Sequence, residues 1–140
     1  NTLINNKQLD QEVKINKQYQ TDYETLDNLS KHDLIVFPYQ LSNESSSASV
    51  RHGLAAGPPV LVTPVSIFDD LENVVSQLPG TSSEDIADGL EQWMTMSSKE
   101  GQNNCDLESR ISCWRMQHRF SRLGRRLQGL IRGVELDKKL

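Results

Sequence analysis

The sequence predicts an α/β fold, a partial Rossmann-like parallel sheet with flanking helices and a C-terminal helical extension. Three observations predict it. Asp33-Leu34-Ile35-Val36-Phe37-Pro38 is a short, β-branched apolar run of the kind buried on both faces of a parallel sheet, and Pro38 ends it. A second such run, Val60-Leu61-Val62-Thr63, follows after a segment long enough for one helix, so the two make a βαβ unit. Beyond Pro79-Gly80 the apolar positions recur only at helical spacing.

Residues 1–12 are polar and rich in Asn and Gln, and read as a frayed arm or a loose helix. Val13 and Ile15 alternate with Lys14 and predict a short strand. Tyr23, Leu26 and Leu29 stand at helical spacing, with Asp22 placed to cap that helix. After the first apolar run, residues 40–43 form a polar loop. The serines at 45–47 then open a helix carried by Val50, Leu54 and Ala55. Gly57 can take the left-handed position that closes this helix, and Pro58-Pro59 cannot continue it. Asp69 is placed to cap a short helix after the second strand; its pairing with Asp70 lacks the context of a metal site. Thr81 and Glu84 have the spacing of a capping box, and Ile86, Ala87, Leu90, Trp93 and Met94 carry a helix over about 82–97. Residues 97–104 read as a loop.

Chain length allows one respectable core, and a division into 1–97, a partial Rossmann-like domain, and 98–140, a helical extension packing on it. A chain that opens on Asn1, with no signal peptide and no apolar run long enough to span a bilayer, reads as a piece of a larger protein. Cys105 and Cys113 have seven residues between them in one helical stretch, about two turns and too far to bridge. They fit reduced thiols in a cytoplasm. Neither they nor His32, His52 and His118 show metal-ligand spacing.

Charge is unevenly distributed. Residues 1–109 carry six Lys/Arg against seventeen Asp/Glu, a net of −11, whereas residues 110–134 carry seven arginines and no acid. Phe120, Leu123, Leu127, Leu130, Ile131 and Val134 recur at helical spacing there, with the arginines largely on other faces. Such a helix can dock on the acidic remainder, lie on an anionic membrane surface or meet nucleic acid. Docking is the plainest of these. Nucleic acid fits least, because only Trp114 and Phe120 offer aromatic faces among the arginines.

The site chemistry centres on residues 44–47. Unpaired amides and the positive end of a helix dipole, beyond the carboxyl end of a parallel strand, suit a phosphate. The same serines and glutamate also serve as ordinary helix caps. Residues from about 33 to 92 resemble the C-terminal half of a two-Rossmann-domain (GT-B) glycosyltransferase of the group that makes bacterial cell-surface polysaccharides. The resemblance is carried by Phe37-Pro38-Tyr39, then Glu44-Ser45-Ser46-Ser47, then Ala55-Ala56-Gly57-Pro58-Pro59-Val60. Thr63-Pro64-Val65-Ser66-Ile67-Phe68-Asp69-Asp70-Leu71 resembles the family segment that follows.

The resemblance implies a metal-independent enzyme without cofactor that binds a nucleotide-diphosphate sugar and transfers the sugar to a glycan or lipid-linked acceptor. It places the work in polysaccharide biosynthesis in the cytoplasm, at the inner face of the membrane. It implies donor-binding roles for Tyr39, Glu44, Ser45, Ser46, Ser47 and His52. The family commonly has two glutamates separated by seven residues, and here the second position is His52. One imidazole cannot clamp two ribose hydroxyls as a carboxylate does. The acceptor-activating base would belong to a missing N-terminal domain, so the fragment is expected to be inactive alone. The alternative is a non-catalytic Rossmann-like module that attaches to a partner or an anionic membrane through its arginine-rich helix.

Overall fold

The computed structural model describes residues 12–41, 46–99 and 104–137. Its elements run in the order α1 (Asp22–Leu29), β1 (Ile35–Phe37), α2 (Ala48–Ala56), β2 (Val60–Val62), a 3-10 helix (Ser66–Leu71), β3 (Ser76–Gln77), α3 (Ser83–Lys99), α4 (Asn104–Gln117) and α5 (Phe120–Asp137). The architecture is mixed α/β, a small three-stranded parallel sheet flanked by helices and followed by C-terminal helices.

β2 is the central strand, parallel to both neighbours. Ile35 lies opposite Val60 and Phe37 opposite Val62, so these four side chains share one face, with Leu61 on the other. β3 registers Leu61 with Ser76 and Val62 with Gln77. No apolar run marks β3 in the sequence; it is a polar dipeptide recruited by pairing to a buried neighbour.

Helix α2 covers the first face. Gly53 lets it approach closely, since a Cβ there would stand 2.9 Å from Phe37 Cε2 and 3.5 Å from Val60 Cγ2. Val50 and Leu54, one turn apart, are fully buried against β1 and β2. Phe68, Ile67 and Leu71 of the 3-10 helix, with Val65, Val74 and Val75, complete the core. From α4, Ile111 is buried in it and Leu107 and Trp114 pack against it, a stripe spaced by four and three. α2 closes at Gly57 with φ +124°, a conformation that favours glycine, and Arg115 of α4 donates to the Gly57 carbonyl at 2.9 Å.

Several local expectations shift. Val13 and Ile15 form no strand; three alternating residues do not specify a pairing, and both side chains are exposed. Thr21, not Asp22, caps α1: its hydroxyl accepts from the Glu24 amide at 3.3 Å, and the Glu24 carboxylate accepts from the Thr21 amide at 2.9 Å. Tyr23 is exposed, while Leu29 packs on the core.

The box before α3 is displaced by one residue. Ser82 Oγ accepts from the Asp85 amide at 3.1 Å, and Asp85 accepts from the Ser82 amide at 3.2 Å. Thr81 stays outside, its carbonyl taken by Gln40 Nε2 at 3.0 Å. Asp69 lies within the 3-10 helix, whose N-cap is Val65, and so does not cap it. α3 runs on to Lys99, past the expected start of a loop at 97.

Residues 1–11, expected as a polar arm, and 100–103, from the expected loop, lie outside the described residues. In the C-terminal extension it is α4 that reaches the core. Every described side chain of α5, from Phe120 to Val134, is exposed. No helix among the described residues is long and apolar enough to cross a membrane.

Candidate functional site

Parallel strands put all their carboxyl ends on one edge, and the chain leaves that edge through Pro38 and Tyr39 after β1, Thr63 after β2 and Leu78 after β3. The N-terminus of α2 returns to the same edge. The candidate site is built where these segments meet.

Tyr39 is held from two sides. Its ring lies 6.2 Å from Phe37 edge to face and 5.2 Å from Phe68 at a tilt. Its carbonyl accepts from the fully buried Thr63 hydroxyl at 2.6 Å, which ties the exit of β1 to that of β2. Its phenol oxygen accepts from Ser47 Oγ at 3.3 Å.

Ser47 is the N-cap of α2 and is itself buried. Its hydroxyl accepts from the Val50 amide at 3.4 Å. Ser46 precedes it and is exposed. Glu44 and Ser45, two of the expected donor-binding residues, lie outside the described residues. The structure thus brings together Tyr39 and Ser47, with Ser46 beside them.

His52 goes elsewhere. Its Nε2 is 3.9 Å from Asp22 Oδ1 at the start of α1, and the ring is half-exposed. It faces the neighbouring helix, and at this distance its link to the carboxylate is loose.

Sequence reasoning missed Arg51. Its guanidinium donates from Nη1 to the Ser47 carbonyl at 2.8 Å and pairs through Nη2 with Asp70 of the 3-10 helix. A long helical side chain leans toward the N-terminus and covers the turn before its own Cα, so the spacing from Ser47 to Arg51 was the available signal. The pair links the first turn of α2 to the segment after β2. It also gives Asp70 a partner on α2.

The first turn of α2 carries no acidic residue, so no carboxylate within that turn offsets its free amides and dipole. The Arg51 charge is matched by Asp70, while the helix dipole makes this corner mildly electropositive. Chemically it can accept an anion with two or more oxygens and present hydroxyls to it. Among the described residues no group of three or more His, Cys, Asp or Glu side chains is placed to hold a metal ion.

Comparison with known proteins adds no identification: no family model matches the chain, and no curated protein matches it.

Proposed function

We propose that this chain is the donor-binding part of a GT-B glycosyltransferase, taking a nucleotide-diphosphate sugar and serving transfer to a glycan or lipid-linked acceptor. One observation carries the reading: a parallel β1–α2–β2 unit whose helix N-terminus, capped by Ser47, stands beside Tyr39 at the carboxyl edge of the sheet. That is the corner to which the resemblance assigns the donor.

In this reading the amides and hydroxyls of residues 45–47 hold the diphosphate, Glu44 hydrogen-bonds the sugar or ribose, and Tyr39 lines the pocket. The helix N-terminus stabilises the charge that grows on the leaving diphosphate as the sugar departs. His52 occupies the position of the ribose-gripping glutamate, but its contact with Asp22 gives it a neighbour on α1 instead, so the ribose rests on the other groups. No acceptor-activating base is assigned to this chain. The cellular setting proposed is the cytoplasm, at the inner face of the membrane, where lipid-linked glycans are assembled.

Ligand-observed NMR against a panel of nucleotide-diphosphate sugars tests the proposal, with Glu44→Ala and Ser46→Ala measured alongside. Saturable binding that weakens in both variants is the expected result. Binding that neither substitution changes would move the donor away from this helix, and a panel without a single binder would turn the reading toward a non-catalytic module.

A further inference from the structure

Helix α5 has a face that the other described residues leave uncovered. Phe120, Leu123, Leu127, Leu130, Ile131 and Val134 fall within an arc of roughly 100°, and all are exposed, from Leu123 at 40% to Phe120 at 93%. Arg122, Arg125 and Arg132 occupy the opposite side of the same helix, Arg126 lies on its flank, and Arg119 stands just before it. Residues 119–134 contain no acid. Gly124, Gly129 and Gly133 have nothing within 4 Å of where a Cβ would be, so packing does not call for them.

We propose that α5 is a surface-seeking helix that lies in the headgroup region of an anionic bilayer. Its eighteen residues span about 27 Å, enough to lie along a surface. A continuous apolar stripe opposite a face rich in arginine, at low overall hydropathy, is the pattern of helices that lie in the membrane interface. The apolar stripe sinks toward the acyl chains, and the long arginine stems reach back to the phosphates.

Charge selects the occupant. The body is acidic, with a net of −11 over residues 1–109, and would be repelled by the same surface, so α5 must supply the attraction itself. A second α5 packed stripe to stripe would cover the apolar residues but leave the arginines on the outside without an anionic partner. A nucleic acid would satisfy the arginines and leave the apolar stripe in water. Of these three occupants, the anionic lipid surface answers both faces. The inference rests on α5 alone and holds whether or not the donor reading does.

Vesicle flotation of the 140-residue chain tests it, comparing phosphatidylcholine alone with phosphatidylcholine mixed with phosphatidylglycerol. The chain is expected to float with the anionic vesicles and not with the neutral ones, and to be released by salt. Arg122→Gln, Arg125→Gln and Arg126→Gln combined should weaken partitioning by roughly fivefold per arginine. Leu127→Asp with Ile131→Asp should abolish it. Because these side chains are exposed, both variants should keep the unfolding transition of the body, which confirms that they fold.

Three results would overturn the proposal. They are no flotation with anionic vesicles at low salt, flotation that the aspartate pair leaves unchanged, and a dimer in light scattering that the aspartate pair dissociates while vesicles bind nothing.

Discussion

Ser47 and Tyr39 are joined by a hydrogen bond from the Ser47 hydroxyl to the phenol oxygen at 3.3 Å, while the same hydroxyl caps α2 by accepting from Val50. One buried oxygen therefore fixes both the start of the helix and the tyrosine beside it. Ser47→Ala loses the cap and leaves the Val50 amide unsatisfied, and should destabilise the fold by about 1 kcal/mol. Tyr39→Phe keeps the cap and should cost less. Urea titrations of the two variants would separate the contributions.

Gly53 marks the closest approach of α2 to the sheet. An alanine methyl at 2.9 Å from Phe37 Cε2 must push the ring or the helix aside. Gly53→Ala is expected to lower stability by about 1–3 kcal/mol, despite alanine's better helix propensity. Combining it with Phe37→Leu should recover part of the loss, which a double-mutant cycle would measure.

The α1 capping box makes stability depend on acid. The Thr21 amide and then its hydroxyl hydrogen-bond the Glu24 carboxylate and hold its pKa below the ordinary 4.5. A carboxyl with a depressed folded-state pKa contributes stability that is present above the unfolded value and lost as pH falls through the folded one. Wild type should therefore exceed Glu24→Gln in stability at neutral pH, and the gap should close as the solution is acidified below 4.5. Thermal melts across that range would follow it.

Core and tail should respond very differently to truncation. Phe68 is fully buried at the centre of the cluster, and Phe68→Ala should cost about 3–5 kcal/mol. Leu130 is 70% exposed, so Leu130→Ala should change folding stability by less than about 0.5 kcal/mol. Denaturant midpoints of both variants against wild type provide the comparison.

The parts of the fold that were legible in the sequence have strong local signals. The apolar runs ending at Phe37 and spanning Val60 to Val62 became neighbouring parallel strands, and Gly57 closes the helix between them. β3 was not legible because Ser76 and Gln77 gain strand geometry from pairing with β2, not from their own pattern. The displaced box at Ser82 illustrates a second limit. Thr81 and Glu84 satisfy the same spacing rule one residue earlier, yet the box forms at Ser82 and Asp85 while the Thr81 carbonyl accepts from Gln40. In the candidate site, Tyr39, Ser46 and Ser47 could be named from the chain alone. Arg51 had only its spacing from Ser47 as a signal, and its pairing was hidden because Asp70 lies nineteen residues away in sequence.

A helix with no described side chain in the core draws little on tertiary packing for its order. α5 also carries three glycines, each of which lowers intrinsic helicity. Its amides should therefore exchange with solvent long before those of Val60, Leu61 and Val62, which open only with the whole domain. The chain is then a cooperative block and a conditional segment joined near His118, and any surface that stabilises α5 would announce itself as exchange protection confined to residues beyond that junction.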